Sequence, residues 1–326
     1  MEIQLDLFQE SISNATSGSD HRFIIDAHAH LWLKQDAEIE TGRIQSLSNG
    51  QSFFVDEIRQ MMPPYMIDGS NTAEMLLANM NYAQVSAAVI TQEYIDGNQN
   101  EYLLKVQQKY PDRFLCCALI DARISNFFEE SLEAVSLGFR AIKIPAGRLI
   151  LSKRRVMLNN TEMMRVFNLM EKRGIILSID LTDGTEQVPE MEEVIAAFPK
   201  LKIAIGHFGM VTRKGWKEQI KLARHENVSI ESGGITWLFN EEFYPYPSAV
   251  KAIKEAAELV GIEKLMWGSD YPRTMTAITY RMSYDFISKS NLLTENDRTL
   301  FLGENARKFY GFENLTEMSY IKNMLE

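Results

Sequence analysis

Eight short apolar runs recur along the chain, each turning polar or glycine-containing at its C-terminal end: FIIDAHAH from Phe23, SAAVIT from Ser86, FLCCALID from Phe114, AIKIP from Ala141, IILSIDL from Ile175, KIAIGHF from Lys202, NVSIESGG from Asn227 and LMWGSD from Leu265. Continuous apolar runs of this length suit strands buried on both faces. Segments of helical periodicity separate them, among them TEMMRVFNLMEKRG and PSAVKAIKEAAELVG, and several stop at Gly138, Gly174, Pro199 or Gly261, as helix C-termini do. The run starts are separated by 63, 28, 27, 34, 27, 25 and 38 residues, mostly one strand-plus-helix unit of about 30 residues. Eight such units predict a (β/α)8 TIM barrel of the α/β class. An open doubly wound sheet is the alternative, but it would place a glycine-rich phosphate turn after the first strand, where AHAHLW stands instead.

The long first gap places an insertion at residues 31–71, including LSNGQSFFVDEIRQMMPPYM. Loops at that end of a barrel build its active site, so the insertion is read as a candidate lid or as a packing excursion over the mouth. Residues 1–22 form an N-terminal extension to a single barrel domain spanning 23–326, and LTENDRTLFLGENARKFYGF reads as extra C-terminal helices closing the bottom or side. The 34 Lys and Arg against 44 Asp and Glu give a net charge of −10, which argues against a nucleic-acid partner. Neither a basic, apolar leader nor a run of about 18 apolar residues occurs. The expectation is a soluble cytoplasmic protein with no membrane partner. The adjacent Cys116 and Cys117 would face opposite sides of a strand, an arrangement poorly suited to a disulfide.

The chemistry concentrates at the run ends. His28 and His30, two apart, turn to one face and aim at the mouth, as metal ligands or as a satisfied buried pair. Asp270 ends the eighth run, which barrel closure sets beside the first. Two imidazoles and a carboxylate there form a hydrolytic metal arrangement, the carboxylate taking a proton from bound water. His207 in GHFG faces the mouth from the sixth run and would polarise a carbonyl or donate a proton, unless it is structural. Asp180 and Lys143 carry charges that are costly inside a barrel unless used or paired. Asp180 is read as a metal ligand, a partner of His207 or an Asx turn, and Lys143 as a substrate-carboxylate ligand or a partner of Asp180. Arg273 and Arg148 are candidates to anchor an anionic substrate, Arg273 equally for a helix-start ion pair. Glu231 is a further candidate mouth residue. His21 and His225 receive no role.

In order, DAHAHLW, QEYIDGNQNEYLLKVQQKYPDRF, GFRAIKI, KIAIGHFG, NVSIESGG and MWGSDYP resemble the amidohydrolase superfamily, specifically its amidohydrolase-related (amidohydrolase 2) TIM-barrel group. The resemblance runs from Phe23 to Phe312 and is nearest to the lactone hydrolases. It implies His28, His30, His207 and Asp270 as the site residues, one divalent metal (Zn or Mn), a small anionic substrate, and a homodimer or larger assembly. Many metal-dependent members have a histidine where this chain has Asp180. Some lactonases of the group work without a divalent metal, which leaves a metal-free site open. The expected activity is hydrolysis of a small carboxylated lactone or similar C–O bond. Non-oxidative decarboxylation of a small unsaturated or aromatic acid is the second reading, and a non-catalytic degenerate barrel the third.

Overall fold

The computed structural model describes residues 23–152, 155–322 and 324 of the chain, so the N-terminal extension and His21 lie outside the described residues. Eight parallel strands form one sheet in the order β1 (Ile24–His30), β6 (Val85–Thr91), β7 (Phe114–Leu119), β8 (Ala141–Ile144), β9 (Ile176–Ile179), β10 (Ile203–Ile205), β11 (Val228–Glu231) and β12 (Leu265–Met266). The sheet closes past the end of β12. There Ala27 N–H donates to Trp267 O and Asp270 N–H to His28 O, both at 2.8 Å, and Ala29 bridges Tyr271 in parallel. All eight sequence runs are strands, so the molecule is a (β/α)8 barrel.

The lumen and the outer layer separate along each strand. Ile25, Ala27, Val89, Leu115, Cys117, Ile176 and Met266 pack in one cluster with Ala306, Tyr310 and Phe312 of the C-terminal segment. Cys116 instead joins the larger layer between strands and helices, and both thiols are free. The chain from Glu295 to Tyr310 is two short α-helices joined by a π-helical turn, and it plugs the N-terminal end of the barrel. A Cβ on Gly303 would lie 1.7 Å from Phe23 O, so only glycine permits this segment to seat against β1.

The insertion departs from the expected loop. It is a second, antiparallel sheet of β2 (Asp36–Ile39), β3 (Gly42–Ser46), β4 (Gln51–Phe54) and β5 (Glu57–Gln60). Asn49 and Gly50, both at positive φ, make the turn between β3 and β4, as Asn-Gly pairs do in hairpins. Paired hydrogen bonds between the Trp32 and Asn71 backbones clamp its base. A small apolar core of Ala37, Ile44 and Ile95 docks it on the 3₁₀ turn Tyr94–Asp96. No helix among the described residues is long and apolar enough to cross a membrane.

Candidate active site

An irregularity in β1 sets the direction of the two histidines. Asp26 pairs with Ala88 and Ala29 with Ile90, so Ala27 and His28 together oppose one residue of β6. Such a bulge resets the in-out alternation. Ala27 still faces the apolar lumen, while His28 and His30 turn into the mouth above it. Asp26, left on the outer side, is fully buried and accepts from Ser269 N–H, Tyr280 O–H and His28 N–H at 2.8, 2.8 and 3.0 Å. Burial pushes its carboxyl up to about 6, against the pull of those donors.

His28 and His30 are each held by a carboxylate on the far edge of the ring. His28 Nδ1 lies 2.6 Å from Glu231 Oε1, and His30 Nδ1 lies 3.0 Å from Asp96 Oδ2. Glu231 accepts from His28 Nδ1–H, the His30 Nδ1 contact with Asp96 lacks hydrogen-bond alignment, and the two Nε2 atoms face each other at 3.1 Å. Asp270 Oδ1 stands 3.0 Å from His30 Nε2 and 4.0 Å from His28 Nε2. Trp237 Nε1–H donates to the other oxygen, Oδ2, at 2.7 Å. With both Nε2 atoms unprotonated, three acceptor atoms converge here, which is the donor set a divalent ion requires. Two nitrogens on one tetrahedral Zn²⁺ stand about 3.3 Å apart, close to the separation here. Carboxylates behind the ligating histidines are the usual outer support of such a site.

The charges agree with that reading. Burial lowers the His28 pKa and outweighs Glu231. For His30, burial and Arg273 oppose the charged form, but Asp96 and Asp270 together raise its pKa. The pair of carboxylates favours positive charge at this point, whether carried by a proton or by a metal ion. Although burial acts the other way, Asp270 is held well below the usual carboxylate range by His30 and Arg273, and Asp96 by Arg273 and His30.

Across the mouth, Lys143 on β8 is fully buried, with Nζ 2.6 Å from Asp180 Oδ2 and 3.7 Å from Glu93 Oε1. These are ion-pair contacts without hydrogen-bond alignment. His207 Nδ1–H donates to Gly233 O at 2.9 Å, and Nε2 lies 3.4 Å from Asp180 Oδ2. Despite burial, Asp180 lifts the His207 pKa to about 10, which favours the imidazolium at neutral pH. Lys143 and His207 depress Asp180 well below its ordinary value in spite of burial, whereas burial and Asp180 raise Glu93 to about 8. The two shifts run in opposite directions, which favours one ionised and one protonated carboxyl in this pair.

Of the residues singled out in the sequence, His28, His30, Asp270, His207, Asp180, Lys143 and Glu231 meet in this mouth. Arg273 joins them, with Nη2–H donating to Asp96 Oδ1 at 2.5 Å and Nη1 3.6 Å from Asp270 Oδ1. Arg148 sits half-buried on the helix Ala146–Leu151, and no contact of its side chain with the cluster is found among the described residues. His225 is at the surface, 2.8 Å from Glu192 Oε2. Four site residues escaped the sequence reading: Asp26, Glu93, Asp96 and Trp237. Glu93 stands two residues past the end of the second run in TQEYID, and a charge placed just after a strand end was the available signal for it.

Gly206 makes room for the cluster. A Cβ there would lie 2.0 Å from Asp180 Oδ1 and 2.6 Å from Glu231 Oε1. Its φ of −83° suits any residue, so space alone requires glycine. Gly206→Ala is expected to lower stability by about 1–3 kcal/mol, the range for overpacking, as read from the urea midpoint.

The family described as Amidohydrolase matches residues 25–312. No curated protein matches the sequence. Among solved structures, a probable 2-pyrone-4,6-dicarboxylic acid hydrolase from Acinetobacter baumannii with citric acid bound superposes with a TM-score of 0.66 at 20% identity, over 89% of this chain and 99% of that one. An amidohydrolase from Burkholderia multivorans with bound Zn gives 0.62 at 16%, over 89% and 99%. A mutant 5-carboxyvanillate decarboxylase from Novosphingobium aromaticivorans, with bound manganese and 3-methoxy-4-hydroxy-5-nitrobenzoic acid, gives 0.52 at 16%, over 72% and 80%. At these identities the likeness concerns the fold.

Proposed function

The chain belongs to the amidohydrolase family, and from that premise we propose that it hydrolyses a small carboxylated lactone or similar C–O bond with a divalent metal, Zn or Mn. The observation that carries the proposal is the convergence of His28 Nε2, His30 Nε2 and Asp270 Oδ1, with Glu231 and Asp96 orienting the two rings. Asp180 belongs to a second donor group with His28 and His207. Its Oδ2 is taken up by Lys143, so we assign the metal to His28, His30 and Asp270. When bound, such an ion polarises a carbonyl and lowers the pKa of water to about 7.

The chain's own groups do the remaining work. Asp270, kept anionic and oriented by Trp237, accepts the proton of the attacking water. His207, protonated and aligned through Gly233 O, offers Nε2–H to the developing oxyanion. Three cationic groups, Lys143, Arg273 and His207, face four carboxylates, Asp96, Asp180, Glu231 and Asp270. A divalent ion would reverse the sign of that balance from net negative to net positive, which suits an anionic substrate. Arg273 and Lys143 are the proposed anchors for its carboxylate.

The test is elemental mass spectrometry on protein purified without chelator, for the wild type and His28→Ala. About one equivalent of Zn or Mn in the wild type, lost in the variant, is the expected result. No stoichiometric metal in either would overturn the metal assignment and make the histidines substrate ligands. A second reading, decarboxylation of a small unsaturated or aromatic acid, is favoured by the same His207 imidazolium, a proton donor to a carbanion. Release of CO₂ without net addition of water would select it.

A further inference from the structure

A pocket of about 250 Å³ opens on the site and is lined by Gln60, Met61, Trp237, Asp270, Arg273 and Thr276. Asp270 and Arg273 follow β12, and Trp237 follows β11. Gln60 and Met61 come from the other sheet, at the end of β5. The insertion thus supplies one wall of the space in front of the catalytic carboxylate.

That wall is held in a defined place. Ser52 Oγ–H donates to Gln35 Oε1 at 2.7 Å, and Gln35 Nε2–H to Asp96 Oδ1 at 3.4 Å. The same Asp96 oxygen receives Arg273, so the inserted sheet is tied to the group that orients His30. A Cβ on Gly97 would lie 2.4 Å from Asp36 O, so glycine lets the inserted sheet approach this turn. At the pocket itself, Gln60 Nε2 donates to Asn49 O at 2.8 Å and Met62 O at 2.7 Å. Two carbonyl acceptors require the NH₂ end of the amide, so the opposite end, Oε1, is the free one. No group among the described residues donates to it. Met61 is half-buried and packs on the apolar core of the insertion.

We propose that the inserted sheet is the specificity wall of this site, with Gln60 Oε1 accepting a hydrogen bond from a substrate hydroxyl and Met61 covering the ring. The inference rests on the hydrolase reading for its substrate class and adds the group that is selected. The preferred ligand is a single-ring carboxylate carrying a hydroxyl on the side away from Arg273. The volume sets the size, being below that of pockets for drug-sized ligands.

The probes are a matched pair of six-membered-ring lactone carboxylates, with and without a ring hydroxyl, followed by acid release at constant pH. The wild type is expected to prefer the hydroxylated member roughly tenfold in kcat/KM, the worth of one added hydrogen bond. Gln60→Met, similar in length but without an acceptor, should bring the ratio to about one, and Gln60→Ala should do the same. Gln60 is exposed on an edge strand, so neither change threatens the barrel. Both also release the carbonyls of Asn49 and Met62. Gln60→Glu, which keeps the acceptor without the amide donors, should therefore retain the preference for the hydroxylated member. Calorimetric binding of the matching open-chain hydroxy acids separates this claim from the hydrolase reading. If no lactone is cleaved but the wild type binds the hydroxylated acid more tightly and Gln60→Met does not, the wall assignment stands and hydrolysis falls. Equal treatment of both members by the wild type, a preference retained in Gln60→Met, or binding of neither member overturns it.

Discussion

Asp270→Asn is expected to lower kcat/KM on a cleaved lactone by about a thousandfold, within the range for removing a general base. The substitution is nearly isosteric. Asp270 has a φ of 57°, and among non-glycine residues Asn tolerates that left-handed region best, so the backbone should keep its course. The amide oxygen can still accept from Trp237, which now places a neutral NH₂ opposite His30. A lone pair able to take a proton is thereby lost, while the pocket keeps its shape. Circular dichroism should be unchanged, and acid release at constant pH measures the rate. Full activity in the variant would remove Asp270 from the mechanism. Metal content measured on the same sample apportions its role: loss of both metal and activity marks it as ligand and base, and loss of activity alone as base.

The barrel was legible because each of its strands is a continuous apolar run, a pattern that survives without knowledge of the contacts. The residues at the ends of those runs were legible for the same reason: a charge at the C-terminal end of a buried strand has few places to go. His28, His30, Lys143, Asp180, Glu231 and Asp270 all follow that rule. Asp96 does not. It lies on a 3₁₀ turn beyond β6, and its partner Arg273 is 177 residues away, so no local pattern marks it. Trp237 contributes through one N–H and looks like an ordinary aromatic of a short helix. The bulge in β1 is likewise invisible, since DAHAH alternates as well as a regular strand would. The inserted sheet was missed because its strands have four or five residues and β5 is exposed throughout. Only the Asn49-Gly50 pair announced a hairpin.

Lys143→Met is expected to cost about 3–5 kcal/mol of folding stability, the usual result of removing one partner from a buried ion pair. Asp180 Oδ2 lies 2.6 Å from Nζ and Glu93 Oε1 lies 3.7 Å from it. Without the ammonium, His207 alone faces the ionised carboxyl, from 3.4 Å. The double variant Lys143→Met/Asp180→Leu should recover much of the loss, because it removes the charge left stranded as well as its partner. The pH dependence follows from the sign of the Asp180 shift. Its folded-state pKa lies well below 3.8, so in the wild type it contributes stability that is present above about pH 4 and lost as the pH falls through the folded value. Lys143→Met abolishes most of that contribution. The gap between wild type and variant in urea unfolding should therefore be largest at neutral pH and narrow below pH 4. Glu93 acts in the opposite sense, since its pKa is raised to about 8 and the stability it contributes in acid is lost as the pH rises from the ordinary carboxyl value to that one. Glu93→Gln should therefore gain on the wild type as the pH rises from about 4.5 to about 8, and the gain should level off above that. A gap between wild type and Lys143→Met that stayed constant from pH 3 to 7 would show that Asp180 does not depend on Lys143 for its charge.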